Sequence, residues 1–140
     1  PYRGAYVASK FALEGLADTL RLELVGTGIR VCLIEPGPIL SKFRDNAHAA
    51  YRHYIRAEAS PHRERYAALE ARLIKEGPAA PFTLPPEAVL KRVVHALESP
   101  RPQARYYVTV PTYLFAALRR LLPTRALDAI LRRAGGEGRR

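Results

Sequence analysis

The sequence predicts an α/β fold on a parallel sheet of which only a part lies within these 140 residues. Three observations carry this reading. Residues 29–34, Ile-Arg-Val-Cys-Leu-Ile, are almost wholly apolar and largely β-branched, the composition of a strand covered on both faces, as in parallel sheets. Residues 105–110, Arg-Tyr-Tyr-Val-Thr-Val, make a second strand-like run, and the segments between and around the two carry helical spacing. Two strands cannot cover both faces of a segment like 29–34, so further strands are expected outside the chain. A start at Pro1 and the lack of any methionine fit the same expectation.

The elements follow in order. Residues 4–25 read as a helix, with Leu13, Leu16, Ala17, Leu20 and Leu24 on one stripe. Gly26-Thr27-Gly28 stops it. After the 29–34 strand, Glu35-Pro36-Gly37-Pro38 ends the extended chain abruptly. Residues 41–76 are polar and alanine-rich, and predict two or three helices broken near Ser60-Pro61. Residues 77–81 form a loop. Pro85-Pro86 opens a helix with Val89, Leu90, Val93, Val94 and Leu97 at helical spacing. Ser99-Pro100-Arg101-Pro102 ends it before the second strand. Two short helices split at Pro123 follow, and the Gly/Arg run 135–140 reads as a flexible tail.

The composition, 48% apolar and 26% charged, is that of a globular protein. Lysine and arginine total 23 against 13 acidic residues, for a net charge of +10. Such a balance suits nucleic acid, an anionic membrane or an anionic ligand. No aromatic-plus-basic recognition motif is present, so nucleic acid is not expected. The single cysteine, Cys32, sits in an apolar run and permits no internal disulfide, which favours a reducing, cytoplasmic setting. No apolar run approaches the roughly 20 residues of a membrane span. His48, His53 and His62 share no helical face with a carboxylate set, so no metal site is expected.

Tyr6-Val7-Ala8-Ser9-Lys10 places a phenol and an ammonium four residues apart, on one helical face. A phenol of pKa about 10 is a poor acid or base near neutrality. A neighbouring ammonium stabilises the phenolate and lowers that pKa, which equips Tyr6 to move a proton at a carbonyl or alcohol oxygen. The spacing alone is weak, since an amphipathic helix offers such pairs by chance. Its context is specific. Gly4-Ala5-Tyr6-Val7-Ala8-Ser9-Lys10-Phe11-Ala12-Leu13-Glu14-Gly15-Leu16 resembles the active-site helix of the short-chain dehydrogenase/reductase family. Gly28 to Ser41, with its Pro36-Gly37 turn, resembles the family's next strand and turn, in the right order and at the right separation. The likeness is close over residues 1–45 and looser to about 110.

The resemblance implies the C-terminal part of a doubly wound Rossmann-type parallel sheet, spanning residues 1–134, and hydride transfer with NAD or NADP. It makes Tyr6 the catalytic acid/base and Lys10 the residue that lowers its pKa and holds the nicotinamide ribose. Tyr6, Lys10, Pro36, Gly37 and Ser41 are the implied cofactor contacts, with Pro36-Gly37 at the carboxyl end of a strand, where open α/β sheets bind ligands. Ser41 stands where relatives often have threonine, and it also suits a helix N-cap. The family's catalytic serine and Gly-rich phosphate turn would precede Pro1. Residues 41–84 fall where the family carries a substrate-covering helical segment, and Tyr51, Tyr54, His48 and His53 could face a small, lipophilic carbonyl or alcohol substrate. Residues 112–134 form C-terminal helices. There Leu114, Leu118, Leu121 and Leu122, then Leu127, Ile130 and Leu131, alternate with Arg119, Arg120, Arg125, Arg132 and Arg133. Such helices either dock on the protein itself or lie on an anionic membrane. A homo-oligomer is the family default. The alternative reading is a non-catalytic basic helical module that binds membrane or acidic partners and has no need of Tyr6 and Lys10. With the phosphate turn absent, the isolated 140-residue chain is expected to bind neither dinucleotide at micromolar concentration; isothermal titration with both cofactors checks this.

Overall fold

The computed structural model describes residues 4–78 and 80–134. The predicted tail at 135–140 lies outside the described residues. In chain order the elements are α1 (Gly4–Glu23), β1 (Leu33–Glu35), α2 (Phe43–Tyr54), a 3₁₀ turn (Ala57–Ala59), α3 (Arg63–Ile74), α4 (Glu87–Glu98), β2 (Arg105–Tyr107), α5 (Val110–Leu121) and α6 (Thr124–Ala134). They divide into two units, one made of residues 1–37 and 87–140, the other of residues 38–86.

In the first unit β1 and β2 pair in parallel, with Leu33, Ile34 and Glu35 opposite Arg105, Tyr106 and Tyr107. The ladder is extended at its ends by the Leu33 amide donating to the Ala104 carbonyl at 2.9 Å and the Val108 amide donating to the Glu35 carbonyl at 3.2 Å. Parallel neighbours require a crossover, and α4, which packs on β1, supplies its last leg. Tyr106 is 2% exposed. Its hydroxyl accepts from the Gln103 amide at 2.8 Å and shares a hydrogen bond of 2.9 Å with His95 Nδ1, which fastens the end of α4 to β2. A buried phenol needs such partners, because its hydroxyl loses water on folding.

Both strands are shorter than the sequence predicts. Residues 29–32 make no ladder and Ile29 is 60% exposed, since the two-stranded sheet among the described residues offers them no partner. The 29–34 segment is therefore not covered on both faces here: Leu33 to Glu35 are each half-buried. The second strand stops at Tyr107 because Thr109 turns the chain into α5. Its carbonyl accepts from the Thr112 and Tyr113 amides, and Pro111, which has no amide hydrogen, fits the first helical turn. Leu122 is extended ahead of Pro123, which separates α5 from α6. The predicted 4–25 helix ends at Glu23, and Gly26 and Gly28 take φ of 85° and 83°. Of the predicted stripe, Ala17 is buried and Leu24 partly covered, while Leu13, Leu16 and Leu20 are exposed; Glu14, Asp18 and Arg21 are the other partly covered positions of α1.

The second unit packs α2 on α3. Glu70 of α3 accepts from Arg52 at 3.4 Å and pairs with His48 Nε2 at 3.1 Å, and the Tyr51 and Tyr66 rings meet at a tilt of 48° with centroids 6.1 Å apart. A bridge between Ile39 and Leu84 draws the ends of the unit together. Its hydrogen bonds run from Leu40 N–H to the Leu84 carbonyl and from Leu84 N–H to the Pro38 carbonyl. The Arg44 guanidinium binds the Lys75 and Gly77 carbonyls. No helix among the described residues is long and apolar enough to cross a membrane.

Gly37 is fixed twice over. Its φ is +72°, and an added Cβ would come well inside 3.0 Å of both the Thr109 and Thr112 hydroxyls. Gly37→Ala is expected to destabilise the protein by about 2–4 kcal/mol, strain plus overlap. Gly28→Ala shares the positive φ but meets nothing within 4 Å, and should cost only about 1 kcal/mol. Urea unfolding of the two variants checks the difference.

Candidate active site

The site builds on α1, whose first turns carry no acidic residue and whose Tyr6 and Lys10 project from one side. The Lys10 ammonium lies 5.5 Å from the Tyr6 ring centroid, and Tyr6 is 49% exposed. The phenol thus combines solvent access with a cation one helical turn away. Ser9, between them, donates its hydroxyl to the Tyr6 carbonyl at 2.7 Å, which keeps that small side chain against the helix.

The Pro36-Gly37 turn leaves β1 at its carboxyl end, and both residues are exposed. Behind it, Thr109 is fully buried and its hydroxyl meets that of Thr112 at 2.9 Å. The two threonines form a wall against which only a glycine can turn. Ser41 belongs to the second unit, where its hydroxyl accepts from the Phe43 amide at 3.4 Å at the entry to α2. Of the five predicted contacts, Tyr6, Lys10, Pro36 and Gly37 share the first unit and Ser41 does not.

His48 is engaged with Glu70, so it braces α2 to α3. Tyr51 is 8% exposed with its hydroxyl unpartnered among the described residues, and burial pushes that phenol upward in pKa, helped by the Glu70 carboxylate. Tyr54 is 76% exposed and meets the His53 ring edge-on at 4.5 Å. Among the described residues no group of three or more His, Cys, Asp or Glu side chains is arranged to hold a metal ion. In α5, Arg119 lies 4.4 Å over the Phe11 ring of α1, so this arginine docks on the protein itself.

One cluster was not legible in the sequence. Arg105 Nη2 donates to both Asp18 oxygens, at 2.9 and 3.1 Å, and stands 3.9 Å from Glu14, while its Nε is 3.5 Å from Glu35 Oε1. Glu14 and Asp18 lie one turn apart on α1, a visible acidic pair, but their partner is 87 residues beyond Asp18. Hydrogen bonds from Arg21 and then Arg105 hold the Asp18 carboxyl below its usual range, and the Asp18 bond raises Arg105. Glu35 behaves oppositely. Its Oε1 is sealed from water, and Arg105 is at ion-pair distance without a hydrogen bond. Burial first, and Glu14 second, raise its carboxyl above the ordinary 4.5.

Ionised Glu35 therefore works against folding, a penalty that is absent well below pH 4.5 and grows as pH rises through the raised folded value. Glu35→Gln is expected to stabilise the protein at pH 7 by up to about 1 kcal/mol, with the advantage vanishing near pH 4. Thermal unfolding across that range measures it.

Residues 1–52 match the family model for short chain dehydrogenase. The chain is 44% identical over 131 residues to the uncharacterized oxidoreductase YbbO of Escherichia coli strain K12, covering 94% of this chain and 42% of that protein. It is 35% identical over 130 residues to the NADPH-dependent 3-dehydrocapnine reductase of Ornithobacterium rhinotracheale, covering 93% and 44%. Against human 17-beta-hydroxysteroid dehydrogenase type 1 it is 30% identical over 122 residues, 78% of this chain and 33% of that enzyme. The chain spans less than half the length of these relatives.

Proposed function

Because the chain belongs to the short-chain dehydrogenase/reductase family, we propose that the whole protein is an NAD- or NADP-dependent oxidoreductase acting on a carbonyl or alcohol, with Tyr6 as its proton carrier. The observation that carries this reading is the Lys10 ammonium held 5.5 Å from the ring of a solvent-accessible Tyr6. The donor set suits a dinucleotide's ribose: an ammonium with three donors beside a phenol, both on an open helix face. When bound, a reduced nicotinamide supplies a hydride to the substrate's carbonyl carbon. Tyr6 gives its hydroxyl proton to the carbonyl oxygen, so an alcohol leaves and a phenolate remains. Lys10 would stabilise that phenolate by charge and has further donors that would hold the ribose. Water then returns a proton to Tyr6. The reverse direction uses the same groups with Tyr6 taking the proton.

Pro36 and Gly37 are proposed to set their backbone against the nicotinamide, with Gly37 unable to carry a side chain. Ser41 is proposed as a further contact: its hydroxyl accepts from the Phe43 amide and keeps its own proton to donate. Residues 41–84 are proposed to cover the substrate. The hydroxysteroid in the name of one relative supports a lipophilic substrate for this chain too.

In the full-length protein, Tyr6→Phe should lower turnover of a long-chain aldehyde about 10²–10⁴-fold, with the fold retained because only one hydroxyl is lost. Nicotinamide absorbance with each cofactor in turn measures it. Retention of more than a tenth of the activity would remove Tyr6 from the chemistry.

A further inference from the structure

α1 carries the proposed acid/base, and its apolar contacts within the described residues are few. Ala17 is its one buried residue among those described, while Val7, Phe11, Leu13, Leu16, Leu20 and Leu22 are 37–71% exposed. The Phe11–Arg119 contact is a cation over an exposed ring, which tolerates sliding. Directional bonds from α1 to the sheet come from Arg105. It stands on β2 opposite Leu33, and it binds Asp18 through two hydrogen bonds with Glu14 alongside.

The spacing along the helix gives this pair its meaning. Tyr6, Lys10, Glu14 and Asp18 follow at intervals of four, so they form one continuous ridge. The phenol and ammonium occupy one end and the two carboxylates the other. A helix is stiff over three turns, so fixing Asp18 in rotation about the axis fixes Tyr6 and Lys10. Arg105 also neighbours, through the ladder, the strand that ends in Pro36-Gly37. It thereby relates the helix and the turn, the two parts of the site in this unit.

We propose that Arg105 is a positioning residue that sets the rotation of the Tyr6/Lys10 helix against the sheet through the hold of its Nη2 on both oxygens of Asp18. The proposal rests on the oxidoreductase reading for its effect on turnover, but not for the anchoring itself. The opposed pKa displacements of Asp18 and Arg105 agree with a charge-assisted pair. Asp18 also accepts from Arg21 at 2.7 Å, within the same helix. That bond serves the same carboxylate without reaching the sheet, and it supplies a control.

The test uses the full-length protein, a long-chain aldehyde and the reduced cofactor. Arg105→Gln and Asp18→Asn should each lower kcat about tenfold or more, since small misplacement of a reacting group is costly, while KM for the aldehyde changes less than twofold. The double variant should be no worse than the worse single one, because both cut one link. Arg21→Gln should keep kcat within twofold. Hydrogen exchange of the 4–23 amides should quicken in Arg105→Gln and Asp18→Asn, and not in Arg21→Gln. Losses that add, a kcat for both singles within twofold of the parent, or unchanged exchange in α1 would overturn the proposal. If Arg105→Gln fails to fold, Asp18→Asn on the partly exposed helix face decides. A parent protein without Tyr6-dependent turnover would sink the oxidoreductase reading alone, and the exchange data would still decide the anchoring.

Discussion

Leu33–Glu35 and Arg105–Tyr107 run in the same direction, and the first unit depends on that pairing. Parallel neighbours cannot be joined by a tight turn, so the chain must leave the sheet after Glu35 and come back through α4. The departure puts Pro36-Gly37 at the carboxyl end of β1. The return brings Thr109 and Thr112 behind Gly37 and Arg105 beside α1. Three residue pairs thus relate an exposed turn, a buried hydroxyl pair and an arginine that lie far apart in sequence.

Polar contacts tie the elements of this unit to one another. Tyr106 is buried with its hydroxyl bonded to His95 and to the Gln103 amide, and Thr109 is buried with its hydroxyl on Thr112. Arg105 gathers Asp18, Glu14 and Glu35. Such groups hold their partners in fixed geometry where an apolar contact would allow sliding. The large apolar side chains of α1 meanwhile face outward. The same contrast recurs in the second unit, where Glu70 joins His48 and Arg52 across the α2–α3 contact while Phe43 and Tyr54 remain exposed.

Carboxylates in the Arg105 cluster show how geometry divides like groups. Asp18 takes two hydrogen bonds from Arg105 and one from Arg21, and is held ionised. Glu35 meets the same guanidinium at 3.5 Å but without a hydrogen bond, and loses water on its Oε1. Desolvation exceeds attraction there, and the carboxyl is raised. The single arginine therefore stabilises the charge of the helix and leaves that of the strand costly.

Local rules made most of the elements legible from the sequence. The helix breaks at Gly26-Thr27-Gly28, Ser60-Pro61 and Pro123 fall where backbone freedom and proline geometry require, and the four-residue step from Tyr6 to Lys10 already joins a phenol and an ammonium. Strand lengths were not legible, because apolar composition shows the tendency to pair while only a neighbour supplies the bonds; residues 29–32 have the composition without the ladder. The apolar stripe of α1 contains its buried Ala17, but not Glu14 and Asp18, which Arg105 draws in. Sequence by itself determined the helices, their ends and the Tyr6–Lys10 pair, since these arise from neighbours within a few residues. Tertiary structure alone decided that Gly37 turns against Thr109 and that Asp18 meets Arg105, since those contacts form only when the parallel strands pair.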